Sequence, residues 1–175
     1  MLERLRRLLG NAEVTDSPTA SASSKIWPEE ALEEFPYSLQ GLRIGAGRQQ
    51  VISAAPGPFR QPTKVCWSWG EHGMNSVLFD GDRVCEIWAT SLEKDGKTIL
   101  SQGDPVEALA VLGESSRSFG FSTSTERHVL YDMPPFLLDV AVTTEAAEGS
   151  PEHEMLFDSK QVVDRVFHIH LKLEA

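Results

Sequence analysis

Cysteine is nearly absent from this chain: Cys66 and Cys85 are the only two among 175 residues, with 18 residues between them. No second pair completes a zinc site and no Cys-x-x-Cys motif offers redox chemistry. A bridge between the two would belong to an oxidising compartment, whereas an unpaired cysteine reads as a small buried hydrophobe. Basic residues are also scarce. Sixteen Lys and Arg against 26 Asp and Glu leave a formal charge of −10, a field that repels phosphate backbones and argues against nucleic acid as a partner. A basic protein is the natural complement. No apolar stretch approaches the roughly 18 residues of a membrane-spanning helix. Catalytic signatures are missing as well. Gly45-Ala-Gly47 lacks the third glycine of a dinucleotide fingerprint and the Lys-Ser/Thr of a phosphate loop, and no Gly-x-Ser-x-Gly elbow occurs. A Cys66/His72 nucleophile pair would need an orienting third group. No cofactor and no resident metal is implied.

What is present begins with an amphipathic stretch. Leu2, Leu5, Leu8 and Leu9 recur at helical spacing, with Arg4, Arg6 and Arg7 toward the other side. The arginines interrupt the apolar core that an export signal needs, so a cytoplasmic location is expected. Residues 11–24, rich in Ser, Thr, Ala and Pro, read as a tether. Residues 1–25 therefore form a helix on a tether, suited to docking on an anionic membrane surface, a partner groove or the inside of a protein shell. The competing reading is a frayed terminus, since ten residues are marginal as an isolated helix.

A repeat organises the rest. Asp82-Arg-Val-x-x-Ile87 returns as Asp164-Arg-Val-x-x-Ile169, and Gly47 to Gly57 is echoed by Gly103 to Gly113. The first repeat spans 26–96. It opens with a cover helix after Pro28 that Pro36 stops, carries a helix over Arg48 to Ala55, and continues with strands over 64–69, 76–79 and 83–90. Asp80-Gly81 marks a hairpin. The second repeat spans 97–175, with Asp104 and Pro105 opening a helix that Gly113 ends. Its strands are expected over 118–123, 127–131, 136–143 and 163–173. The offset between copies is 56 at the glycines and 82 at Asp-Arg-Val, so about 26 residues are inserted, much of them in an acidic stretch near 144–160. The expected class is α+β, with two tandem helix-plus-antiparallel-sheet repeats.

These residues resemble a known group. Gly47-(nine residues)-Gly57-Pro58 with Val84-x-x-Ile87, then Gly103-(nine residues)-Gly113 with Val166-x-x-Ile169, are similar to the repeat of the beta-lactamase-inhibitor-protein-like superfamily. That superfamily includes the domain found beside bacterial CAP domains. The resemblance covers about three quarters of the chain. Glu114 departs from the proline usual near the second glycine. The resemblance implies helices packed on one sheet face, the other face left open for protein recognition, and no catalytic residues.

Strand alternation sketches that open face. In the last strand Phe167, Ile169, Leu171 and Leu173 are the expected buried set, leaving Val166, His168, His170 and Lys172 outward. The repeat then buries Cys85, Ile87 and Ala89 and turns Glu86 and Trp88 toward the histidines. Trp67 and Trp69 share one face of an earlier strand and are candidates for the same surface. The expected function is non-enzymatic binding of a protein partner, of inhibitor, immunity or adaptor type, through Trp67, Trp69, Glu86, Trp88, His168 and His170. The same tryptophans could instead plug the interface between the halves. The alternative is a small metal-dependent or hydrolytic enzyme using His168, His170 and Glu86, since two imidazoles on one strand face sit about 7 Å apart and a third ligand could complete a site. His72, His128 and His153 have no partner at a diagnostic spacing. If residues 1–10 dock, deleting residues 1–24 shifts the protein's location in cells as seen by fluorescence imaging, and an unchanged location removes that role.

Overall fold

A computed structural model of the chain describes residues 26–55, 58–60, 62–70, 73–120, 126–144 and 163–174. The docking candidates Leu2, Leu5, Leu8 and Leu9, with His72, His153 and the acidic stretch 145–160, lie outside the described residues. The class is α+β, mostly antiparallel sheet with few helices.

In chain order the elements are α1 (Glu29–Glu34), β1 (Tyr37–Leu39), α2 (Arg48–Ala54), β2 (Cys66–Trp69), β3 (Asn75–Asp80), β4 (Arg83–Ala89), β5 (Ser91–Lys94) and β6 (Lys97–Ser101). A 3-10 helix (Val106–Leu112) follows, then β7 (Arg117–Gly120), β8 (Glu126–Met133), β9 (Phe136–Thr143) and β10 (Val166–Leu173). A seven-stranded sheet runs β2-β3-β4-β10-β9-β8-β7, and a three-stranded sheet runs β1-β5-β6. One core fills the space between them. Val77, Ile87, Val140 and Ile169 from one face of the large sheet share it with Leu39, Leu92 and Leu100 of the small sheet, Val51 of α2 and Leu109 of the 3-10 helix. The small sheet and the helices thus cover one face of the large sheet. α1 is tied down at its C-terminal end, where Arg43 donates to the Leu32 and Phe35 carbonyls that the last turn leaves without helical partners. The Phe35 ring sits 4.0 Å from that of Phe136.

The Val-x-x-Ile spacing dictates a local distortion. Three residues apart, the two side chains would leave a regular strand on opposite faces. Yet Val84 and Ile87 are both 0% exposed, and Val166 and Ile169 are 1% and 0% exposed. Each strand resolves the conflict with a bulge. Against β3 the register passes from Leu78↔Glu86 to Phe79↔Val84, and against β9 from Ala141↔His168 to Val142↔Val166. Simple alternation was therefore wrong for this end of β10: Val166 faces the core, and Phe167, on the bulge, is half-buried. Cys85 sits at the other bulge, buried but outside the core cluster. It donates to the Leu78 carbonyl at 3.5 Å, and Cys66 and Cys85 are both thiols rather than a disulfide.

The two Asp-Arg-Val segments make the same backbone contacts. Gly45 N–H donates to the Val84 carbonyl at 2.8 Å and Val84 N–H returns to Ala46 at 2.9 Å; Gly103 and Asp104 exchange the same bonds with Val166, both at 2.8 Å. Both glycines are left-handed, with φ of +85° and +88°. Arg83 Nε and Arg165 Nη1 each donate to the carbonyl of their glycine, at 3.2 and 3.4 Å. In these contacts Gly45, not Gly47, takes the part that Gly103 takes. Phe79 to Val84 spans five positions and Val142 to Val166 spans 24.

Other expectations need correction. Trp67 and Trp69 pair with Val77 and Asn75 and face the core side of β2; Trp69 is 0% exposed. They build an aromatic cluster with Phe59 and Phe79, capped by the Arg48 guanidinium 4.1 Å from the Phe79 ring. Asp104 does not cap the following helix but accepts from Ser101 N–H at 2.7 Å. The small sheet was not anticipated, and the division at 96/97 falls in the turn that pairs β5 with β6. A Cβ at Gly45 would lie 3.0 Å from Arg83 Nη2 and 3.2 Å from Leu32, whereas at Gly103 it would meet nothing within 4 Å. Gly103→Ala is expected to cost about 1 kcal/mol for its left-handed backbone alone, and Gly45→Ala about 2–3 kcal/mol because crowding adds to the same strain. Urea unfolding of the two variants measures the difference.

Candidate functional site on the outer sheet face

The register decides what the large sheet turns away from its core. Across the strands the outer face carries Ser76 and Leu78, then Glu86 and Trp88, then His168, His170 and Lys172, then Asp139 and Ala141, then Glu126, His128 and Leu130, and at the edge Arg117 and Phe119. This face is open only in part: Leu130 and Leu137 are each 5% exposed and Ala141 0%. The pairing of β4 with β10 is centred on Trp88 opposite His170, which hold equivalent places in the two Asp-Arg-Val segments. Their rings stack at 4.2 Å and 8°. His170 Nε2 donates to Glu86 Oε2 at 3.2 Å, so three of the expected site residues, Glu86, Trp88 and His170, form one contact group.

His168 lies two positions along β10, in a different group. Its ring meets Phe167 edge-on at 5.4 Å and His128 at 6.4 Å. Burial lowers its pKa below the ordinary value of 6.5, outweighing the pull of the Asp139 carboxylate, and His128 and His170 lower it further. It therefore stays neutral into mildly acidic solution. Among the described residues no group of three His, Cys, Asp or Glu side chains is placed to hold one metal ion. The trio His168, His170 and Glu86 is brought together only as the His170–Glu86 pair.

Sequence reasoning passed over the second half of the face. His128 Nδ1 donates to both Asp139 oxygens, at 2.9 and 3.0 Å, which leaves its Nε2 3.9 Å from Glu126 Oε2. Its ring lies parallel to that of Phe119 at 5.2 Å and 11°. A signal existed: Asp139 is the lone charge in the apolar run Phe136-Leu-Leu-Asp-Val-Ala-Val142. A charge there must face outward and find a partner. Asp139 and His128 make the orienter-and-base half of an acyl-transfer site, but even the nearer thiol, Cys85 on β4, is three strand spacings from β8, about 14 Å away. Between the two ends of the face is a groove of about 360 Å³ lined by Met74, Ser76, Leu78, Trp88, Phe167 and His168 among others.

No protein-family model and no curated protein matches the sequence. Two solved structures share part of the chain path. A DUF4309 family protein from Bacillus subtilis is 17% identical, with a TM-score of 0.42, over 77% of this chain and 84% of that one. A cysteine-rich secretory protein from Staphylococcus aureus is 11% identical, with a TM-score of 0.34, over 74% of this chain and 44% of that one. At these scores neither assigns a family or a function. Among the described residues no helix is long and apolar enough to cross a membrane.

Burial raises the pKa of Glu126 above its ordinary 4.5, His128 opposing and Asp139 assisting. A raised folded-state pKa means stability that is full below the unfolded value and is lost as pH rises through the folded one. Glu126→Gln is therefore expected to raise Tm at pH 7, by about 2 °C. The two proteins should converge below pH 4.5, and scanning calorimetry across that range reads the sign.

Proposed function

We propose that this chain is a non-enzymatic module that recognises a protein partner through the outer face of its large sheet, as an inhibitor, immunity or adaptor protein would. The observation that carries this reading is the flat Trp88–His170 stack beside the groove of Met74, Leu78 and Phe167. A half-buried aromatic next to an apolar hollow, rimmed by the His170–Glu86 pair, is the composition of a binding hot spot. The matched contacts of Gly45 with Val84 and of Gly103 with Val166 support the further reading that two fused repeats of the beta-lactamase-inhibitor-protein-like kind built the fold. Trp67 and Trp69 are withdrawn from the partner-binding set, because they face the core. A cytoplasmic setting fits Cys66 and Cys85 as thiols rather than a disulfide. Docking through Leu2, Leu5, Leu8 and Leu9 would be a separate, second contact.

The test compares affinity capture by the intact protein, by Trp88→Ala with His170→Ala, and by Val111→Ala, which truncates a side chain exposed on the 3-10 helix. Truncating a central aromatic anchor costs about 2 kcal/mol or more, so a partner held by the first and third proteins should be weakened about 30-fold in the second. A partner retained equally by all three removes the outer face from the binding reading.

A further inference from the structure

The outer face is also a charge switch. Its carboxylates include Glu86 on β4, Glu126 and Asp132 on β8, Asp139 on β9 and, just past β10, Glu174, set against Lys172 on β10 and Arg117 on β7. Carboxylates therefore outnumber cations on this face, and Lys172 is already engaged by Glu174 at 3.4 Å. Three of these carboxylates have an imidazole within 4 Å: Glu86 has His170 at 3.2 Å, Asp139 has His128 at 2.9 Å and Glu126 has His128 at 3.9 Å. Histidine is the side chain that changes charge between about pH 5 and 8. Proton uptake by His128 and His170 would add two positive charges to the face and turn each neighbouring carboxylate toward an internal ion pair. A proton on His128 Nε2 gives Glu126 a charged donor in place of a lone pair. His168, between them on β10 and held neutral by burial, keeps the groove wall apolar through the same change.

Resting on the docking role assigned to this face, we propose that its partner presents a cationic segment with an apolar anchor, bound at neutral pH and released as His128 and His170 protonate. The anchor enters the groove beside Trp88, where Leu78 lies directly across from Glu86, so a basic side chain next to the anchor reaches a carboxylate. The net charge of −10 favours the same partner from a distance.

The experiment selects peptides from a random display library on the immobilised full chain at neutral pH, with Trp88→Ala, His170→Ala protein as the counter-selection. The expected winners combine Lys or Arg with one aromatic or aliphatic residue. Their affinity for the wild type should fall about tenfold between about pH 7.5 and about pH 5.5, and added salt should weaken binding at the upper pH. In His128→Gln, which leaves the Trp88–His170 stack in place, that pH ratio should shrink to about threefold. Circular dichroism at both pH values checks that each protein is folded, and ring-proton NMR of the wild type reads the His128 titration directly should the variant fail to fold. Neutral or acidic winners, or basic winners whose binding ignores pH, overturn the inference and leave the docking face standing. An absence of any Trp88-dependent peptide overturns the docking face itself.

Discussion

Two pairs of backbone hydrogen bonds hold this fold in register. Gly45 and Ala46 clasp Val84, and Gly103 and Asp104 clasp Val166, each at the start of a strand that runs through the middle of the large sheet. The clasp needs a left-handed residue to turn the chain back on the strand, which is why both positions are glycine. It also fixes the bulge that follows. Without the extra residue at Cys85 or Phe167, Val and Ile three apart could not both be buried, and either the clasp or the core would be lost. Everything on the outer face inherits its direction from those bulges, including the alignment of Trp88 with His170.

The outer face shows how packing on one side of a sheet assigns chemistry to the other. Val140 and Leu138 are locked into the core, so Asp139 between them has one direction left, and His128 on the next strand is the donor within reach. The charged groups lie along the sheet, ring against ring and carboxylate against imidazole, rather than converging on one point. Such an arrangement suits an extended contact with another molecule better than chemistry at a single atom.

How much of this was legible in the sequence follows from which interactions are local. Apolar periodicity and turn residues located α1, α2 and β9 closely, and Asp80-Gly81 announced its hairpin. The hairpin at Asp95-Gly96 carried the same two-residue mark; it was passed over because Ser91 to Lys94 shows so little apolar alternation. The facing of Val166 and Phe167 was misjudged because alternation assumes a regular strand, while the bulge is imposed by residues about 60 positions away. The outward facing of Glu86, Trp88 and His170 was read correctly because each lies beyond the bulge, where alternation resumes. Trp67 and Trp69 were correctly seen to share a face, but which face is core depends on the strand's neighbours, which the sequence of β2 does not contain. His128 and Asp139 meet across two strands, a contact that no spacing within either one encodes.

The placement of β10 sets the order in which the molecule can be assembled. It follows all the other strands in the chain, yet it occupies the centre of the seven, between β4 and β9. Until residues 166–173 are available, the sheet exists at most as two fragments, β2-β3-β4 and β9-β8-β7, each with an apolar edge that wants a neighbour. Such edges pair with the wrong chain as readily as with the right one. Newly made protein therefore depends on this one segment to join its two halves before they find other partners, and a ribosome that stalled before it would release a sticky half-sheet rather than a smaller version of the fold.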